Sequence, residues 1–258
     1  MNHTEIPSYS KKELSVRKSK YCIITALWNE GEKALTQYRS MKRYTAESDF
    51  IIAIRGEDLD KFSDEELKEQ FGIRTILKID SPGQSTAYRV AMSYALDQGY
   101  EGIIMIDSNG KDSPSAFPSF IEKLDQGYDL VQGSRFMKGG YHENTPLIRI
   151  FAIRCVAAFW IWLGSGYWYS DQNNGFKGFS RRVLLDDKIQ PLRSIFKFHN
   201  LQVYLNYAIP KHGFKVVQVP TSRVYPKTGP LPSKLKGITP LIRHLKDYID
   251  AAIGRLDP

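Results

Sequence analysis

The chain has 258 residues and a mass of 29.6 kDa, with 42% hydrophobic and 25% charged residues. That balance excludes a disordered protein and leaves enough apolar material for one well-filled core. A formal net charge of +8 and a pI near 9.3 point to an anionic partner: nucleic acid, a membrane surface or a phosphate-bearing small molecule.

Residues 1–20 carry Lys11, Lys12, Arg17, Lys18 and Lys20 without an apolar run, which reads as a mobile basic tail and not as a secretory signal. Tyr21–Leu27 is a continuous apolar run rich in β-formers that breaks at Asn29-Glu30-Gly31, the pattern of a buried parallel strand. Ala34, Tyr38, Met41 and Thr45 then recur at helical spacing, and Phe50–Ile54 returns to a strand pattern, giving a βαβ rhythm. The rhythm repeats with a short helix over Leu67–Phe71, a strand over Arg74–Ile79, a helix over Ser85–Leu96 and a strand over Gly102–Ile106. A helix over Ser115–Leu124 and a short strand over Asp129–Gln132 complete a doubly wound first half.

After Gly133 the rhythm changes to an apolar helix over Leu147–Leu163, a loop over Ser170–Gly175, a helix over Leu201–Ile209 and a strand over Lys215–Val219. Residues 226–236 are dense in Pro, Gly and Lys and read as a mobile loop. Leu241, Leu245, Tyr248, Ile249 and Ala252 form one stripe of a last helix. The predicted organisation is a tail over 1–20, one α/β domain over 21–239 and an amphipathic helix over 240–258. Cys22 and Cys155 both fall in apolar runs, as buried free thiols in a reducing, cytoplasmic compartment would. The most apolar stretch, Cys155–Leu163, has nine residues against about 20 for a spanning helix, so no transmembrane segment is expected.

Ligands of an open parallel sheet bind beyond the carboxyl ends of its strands. Trp28, Asn29 and Glu30 follow the first strand. Asp80-Ser81-Pro82-Gly83-Gln84-Ser85 follows the third and enters a helix, whose N–H groups would suit an anion unless the segment is only a turn. Asp107-Ser108-Asn109, then Gly110-Lys111-Asp112, follow the fourth. Oxygen-bearing side chains at i and i+2 past a buried strand can share a divalent ion that also grips a diphosphate; the alternative is an Asx turn that caps the strand. The scattered histidines show no metal-ligand spacing. Phe151, Phe159, Trp160, Trp162, Tyr167 and Trp168, with Arg149 and Arg154, match either an interfacial membrane helix or a buried helix.

These segments occur in one order, continued by Gln132-Gly133-Ser134-Arg135, Gly139-Gly140 and Asp171 with Gly175-Phe176. In that order the sequence resembles family 2 glycosyltransferases of the GT-A fold, over about residues 21–236, and within them the dolichyl-phosphate or polyprenyl-phosphate mannose/glucose synthase branch. The resemblance implies a single GT-A domain with a Rossmann-like, mostly parallel sheet flanked by helices. It places Ala26, Trp28 and Glu30 against the nucleotide base and ribose, with Gly83, Gln84, Ala87 and Arg89 beside the nucleotide. It makes Asp107 and Asn109 the two ends of a D-x-D motif around Ser108, holding Mg2+ or Mn2+ and the diphosphate. Arg135 and Arg149 resemble the arginines that receive an acceptor phosphate, Asp171 belongs to the donor-binding set, and Arg223, Ser233 and Lys234 resemble a late mobile-loop group near the donor phosphates.

The sequence also departs from that pattern. Asn109 replaces the second acid, which weakens a divalent site, and Lys111 stands two residues on, able to offset diphosphate charge. Ile54-Arg55-Gly56-Glu57 stands where a pair of acids usually ends the second strand. Phe198-His199-Asn200-Leu201-Gln202 lacks the carboxylate that activates a hydroxyl acceptor in many members. An alcohol needs a general base, whereas a phosphate monoester is already ionised at neutral pH. The expected reaction is therefore inverting transfer of a hexose from a GDP- or UDP-sugar to a polyprenyl phosphate, with peripheral membrane contact. A soluble hydroxyl acceptor, served by His199 or Asp171 as base, is the alternative. A non-catalytic nucleotide- or nucleic-acid-binding protein ranks last, because no basic and aromatic interleaving typical of a single-strand platform is present.

Overall fold

A computed structural model describes residues 5–226 and 238–258, and the side chains of all of these except 238–241. The first half runs β1 (Tyr9–Glu13), β2 (Tyr21–Leu27), α1 (Glu32–Met41), β3 (Asp49–Ile54), α2 (Asp64–Phe71), β4 (Ile73–Ile79), α3 (Gln84–Asp97), β5 (Gly102–Met105) and α4 (Phe117–Asp125). The second half runs β6 (Leu130–Ser134), β7 (Tyr141–Glu143), α5 (Leu147–Phe151), a π-helical stretch over Ala152–Ala157, α6 (Ala158–Ser165), β8 (Lys177–Ser180), α7 (Arg181–Leu184), α8 (Asn200–Lys211), β9 (Val216–Pro220), β10 (Ser222–Val224) and α9 (Ile238–Ala252).

Eight strands form one sheet in the order β1-β4-β3-β2-β5-β8-β6-β9. β4, β3, β2 and β5 are parallel, as are β6 and β9, whereas β8 runs antiparallel to both β5 and β6. Side-chain alternation splits the central strand between two cores. Cys22 and Ile24 join a layer with α3, α6, α8 and α9, while Tyr21, Ile23 and Leu27 join a layer with α1, α2 and α4. The strand order reverses at β2 and β5, so their carboxyl ends open the crevice where ligands of such sheets bind.

Residues 5–20 are not a mobile tail in the structure. β1 adds antiparallel to β4, Leu14 N–H donates to the Arg74 carbonyl at 2.7 Å, and the backbone N–H of Lys18 reaches Asp49 at 3.0 Å. The segment carries few apolar residues because an edge strand needs only backbone partners, and its lysines face solvent in the way that discourages further pairing. Cys155 is exposed, unlike the fully buried Cys22. α5, the π-helical stretch and α6 form a continuous helix over Leu147–Ser165 of 19 residues, long and apolar enough by length and composition to cross a membrane. The nine-residue apolar run understated it, because the helix continues through Arg149 and Arg154. One face packs on α8 and α9, where Gly164 lies against Tyr207 and Ala252, while Leu147, Ile148, Phe151 and Trp162 are exposed. β8 also escaped the periodicity, being four residues of Lys-Gly-Phe-Ser paired on both sides.

A buried polar knot on β8 supports the crevice. Lys177 is fully buried; its ammonium donates to Gln132 Oε1 and, at 3.0 Å, to the Gln172 carbonyl. Gln132 Nε2 in turn donates to the carbonyls of Asp171 and Asn174 at 3.0 and 3.1 Å, and Asn206 donates to the Gln172 carbonyl at 3.0 Å. Together they fix the backbone of 171–174, the loop that enters the site. Burial pushes the Lys177 ammonium down to about 7.

Two outcomes follow from these contacts. Deleting residues 1–14 removes the β1 pairing and should cost on the order of 3 kcal/mol, lowering Tm by roughly 5–10 °C; an unchanged Tm by calorimetry would contradict a docked segment. Between about pH 7 and the ordinary lysine range near 10.4, the unfolded chain holds the Lys177 proton and the folded chain does not. Wild type should therefore gain stability relative to Lys177→Met as pH rises through that window, by urea denaturation. A difference independent of pH would show that the buried ammonium keeps its proton.

Candidate active site

The crevice is built around Asp107. β5 ends at Met105, and Ile106 N–H still donates to the Ile24 carbonyl of β2 at 3.2 Å. Ser108 turns inward: its Oγ lies 2.5 Å from Thr25 Oγ1, donates to the Ala26 carbonyl at 2.7 Å and accepts from Tyr38 Oη at 3.0 Å. That clamp pins the end of β5 on β2. Asp107 lies on the other side, its side chain 14% exposed, where it accepts from Gln84 Nε2 at 3.1 Å and Tyr88 Oη at 3.4 Å. A Cβ on residue 175 would come within 2.6 Å of Asp107 Oδ1, so only glycine lets the carboxylate occupy its place.

Cations close on this carboxylate from a second direction. Val224 N–H donates to the Lys111 carbonyl and Ser113 N–H to the Ser222 carbonyl, both at 2.9 Å, so the 111–113 segment runs beside β10. Arg223 is thereby carried in between two acids, at 2.5 Å from Asp112 and 3.5 Å from Asp107. Burial works against ionisation of Asp107, but Arg223, Lys111 and His199 outweigh it and hold the carboxyl below its usual range. Asp112 shifts the other way: burial pushes it up and the neighbouring Asp107 adds to that, against the pull of Arg223. Burial, helped by Arg223, brings Lys111 down to about 8, so it still carries its proton at neutral pH. Tyr225 completes the wall: burial raises its phenol, but Arg223, Arg149 and Lys111 bring it down to about 8, and Arg149 donates to it at 3.1 Å.

The structure gathers Asp107, Asn109, Gln84, Lys111 and Arg223, and sets Arg149 beside them through Tyr225. Ala26, Trp28 and Glu30 lie at the end of β2, where the Arg55 guanidinium stacks on the half-exposed Trp28 ring at 4.9 Å. Several expectations are corrected. Arg89 is buried and spends its guanidinium on the carbonyls of Leu192, Phe196 and Glu5, so it is a structural tie and does not face a nucleotide. Ser108 belongs to the strand clamp. Gly83 is needed because a Cβ would sit 2.0 Å from the Lys197 carbonyl; the N–H groups of Ser85 and Thr86 go to the carbonyls of Phe198 and Lys197 and are not open to an anion. Arg135 is held by Asp171 through its Nε at 2.6 Å and Nη2 at 3.0 Å, and both side chains are buried, so this pair forms the floor of the loop and not an open phosphate contact. Ser233 and Lys234 lie outside the described residues. Asp112 and Tyr225 were not legible as site residues; the signal for the first was an acid two residues past Lys111's neighbour Gly110, and the second followed Arg223 by two.

Among the described residues no three His, Cys, Asp or Glu side chains gather as a metal cage. A Mg2+-type ion that bridges a diphosphate takes most of its oxygens from substrate and water and one or two from protein. Ionised Asp107 meets that need. Asn109 donates through Nδ2 to Asp107 at 3.2 Å, and its Oδ1 accepts from Lys111 N–H at 3.2 Å, the Asx turn foreseen, with one lone pair left. The donor set fits an ion assembled together with the substrate.

An apolar groove of about 690 Å³ runs along the long helix, lined by Leu147, Phe151, Arg154, Phe159, Trp168 and Tyr169 among others.

No protein-family model matches the chain. It is 26% identical over 148 residues to the polyprenol monophosphomannose synthase of Mycolicibacterium smegmatis, which covers 57% of this chain and 55% of that protein. It is 23% identical over 216 residues to the undecaprenyl-phosphate mannosyltransferase of Micrococcus luteus, covering 83% of this chain and 86% of that one. The chain thus spans about half the length of the first relative and most of the second. Among solved structures, glucosyl-3-phosphoglycerate synthase from Mycobacterium tuberculosis, in complex with Mn2+, UDP and phosphoglyceric acid, superposes with a TM-score of 0.58 over 91% of this chain and 77% of that one, at 13% identity. At that identity the superposition speaks for the fold alone. By superposition the chain has the GT-A fold, and its sequence is similar, at low identity, to polyprenyl-phosphate mannosyltransferases.

Proposed function

We propose that this enzyme transfers a hexose, with inversion, from a nucleoside diphosphate sugar to a polyprenyl phosphate. The observation that carries the reading is the Asp107 crevice: one ionised carboxylate at the end of β5, with Lys111 and Arg223 beside it and no carboxylate over residues 198–202 to serve a hydroxyl acceptor.

The donor's base lies by Trp28 and Glu30, and its diphosphate by Asp107, Lys111 and Arg223. A divalent ion, held by Asp107 and Asn109, would supply Lewis-acid neutralisation of that diphosphate. An oxygen of the acceptor phosphate forms the new bond to the anomeric carbon as the bond from that carbon to the β-phosphate oxygen breaks. The electron pair leaves with the nucleoside diphosphate, and Lys111 and Arg223 meet the added charge in a buried setting, where such contacts are strongest. No proton has to be removed from the acceptor, in keeping with the absent base. In this reading Arg149, on the same helix as the apolar groove, receives the acceptor phosphate while the prenyl chain lies along the helix over 147–165. Its exposed Leu147, Ile148, Phe151 and Trp162 support peripheral contact with a bilayer at the cytoplasmic face.

Transfer of radiolabelled sugar from GDP-mannose and UDP-glucose to undecaprenyl phosphate, with and without Mn2+, tests this reading. Product should appear with one donor, and Asp107→Ala should lower turnover by on the order of 100-fold or more. Transfer to soluble hydroxyl acceptors only would overturn the acceptor assignment, and full activity in Asp107→Ala would reduce the motif to a strand cap.

A further inference from the structure

Tyr225 follows Arg223 by two residues on an extended segment, so both side chains enter the crevice while Val224 between them points out to solvent. Its backbone is fixed at both ends. Tyr225 N–H donates to the Glu143 carbonyl at 3.0 Å, which continues the pairing of β10 with β7, and Asn144 Nδ2 donates to the Tyr225 carbonyl at 3.0 Å. Glu143 and Asn144 lead into Pro146, which opens the long helix. The buried side chain then reaches the first turn of that helix, where Arg149 Nη1 donates to Tyr225 Oη at 3.1 Å.

Three cations converge on this one side chain. The Lys111 ammonium stands 5.1 Å from the ring centre, and the guanidinium carbons of Arg149 and Arg223 stand at 5.6 and 5.9 Å. They come from three places in the chain: the turn after β5, the long helix and β10. Like charges gathered in a crevice repel each other, and the two acids at hand, Asp107 and Asp112, both engage Arg223. An aromatic ring attracts cations through its electron-rich face, so it can keep several of them together. That matters for the reaction proposed above, in which a phosphate attacks a sugar diphosphate and two anions must approach. Their cations have to stand side by side, and Tyr225 touches the cations of both subsites.

We infer that Tyr225 is a positioning residue that sets the acceptor-side arginine, Arg149, against the donor-side cations Lys111 and Arg223. The inference rests on the reaction proposed above and divides the work within one side chain. The ring serves the donor cations, and the hydroxyl serves Arg149.

The test uses the full chain, undecaprenyl phosphate, and whichever of GDP-mannose and UDP-glucose is transferred. Tyr225→Phe keeps the ring and removes the hydroxyl, so KM for undecaprenyl phosphate should rise about 10-fold while Kd for the nucleoside diphosphate stays within about twofold. Tyr225→Leu removes the ring as well and should weaken nucleoside diphosphate binding by about 5-fold. A double-mutant cycle with Arg149→Met separates positioning from a general loss of structure. A hydroxyl that acts through Arg149 costs nothing more once the guanidinium is gone, so adding Tyr225→Phe should change the acceptor KM of Arg149→Met by less than about twofold. Losses that add in the double variant, an unchanged acceptor KM in Tyr225→Phe, or a nucleoside diphosphate Kd weakened as much as the acceptor KM would each overturn the assignment and leave the proposed reaction standing. If wild type transfers sugar to undecaprenyl phosphate from neither donor, the proposed reaction fails and this inference with it.

Discussion

The guanidinium of Arg223, buried between Asp112 and Asp107, is the contact on which the rest of the site depends. Two acids within one crevice repel each other and resist burial, and a cation between them is what makes their company tolerable. Arg223 reaches that position because the backbone of 222–224 runs beside 111–113, with Asp112 and Arg223 as bridge partners. The end of β5 is thus joined to a segment from the far end of the chain. Asp107 stays ionised, and the second acid is spent on holding the arginine.

The sheet supplies the remaining constraint. β8, antiparallel between β5 and β6, brings the 171–175 loop back over the carboxyl end of β5. Gly175 then clears room for Asp107, Asp171 takes up Arg135, and the Lys177 knot holds the backbone between them. The same loop reaches the long helix, since Gln172 Nε2 donates to the Ile153 carbonyl at 2.9 Å within the π-helical stretch. The Ile153 carbonyl also accepts from Ala158 N–H, so the site loop shares an acceptor of the π-helical stretch. The apolar groove and the charged crevice are therefore two ends of one supported structure.

Much of this was legible in the chain itself. The buried strands announced themselves as Ile-rich runs, and the structure sets the residues after them at the carboxyl ends of the sheet: Asp107 and Asn109 after β5, Trp28 and Glu30 after β2. What stayed hidden is what depends on distant backbone. β1 pairs through its main chain and needs no apolar pattern, and β8 is four residues with a buried lysine at its head. Arg89 sits at helical spacing beside the Gly83-Gln84 turn, but whether it faces a ligand or the carbonyls of 192 and 196 is decided by a segment about 100 residues away. The N–H groups opening α3 looked available for an anion for the same reason: nothing local reveals that Lys197 and Phe198 already accept from them.

On the proposed reading the charge arrangement offsets the missing second acid of the motif. Asn109 removes one negative charge, while Lys111 and Arg223 add positive charge beside Asp107, so side chains would share with an ion the neutralisation of a bound diphosphate. A calorimetric titration of GDP and UDP against their monophosphates, with and without Mn2+, measures that directly. One diphosphate should bind at least about 10-fold tighter than its monophosphate, with a preference that persists in part without the ion. Equal affinity for mono- and diphosphates, or no binding of either diphosphate, would contradict a diphosphate held between Asp107, Lys111 and Arg223.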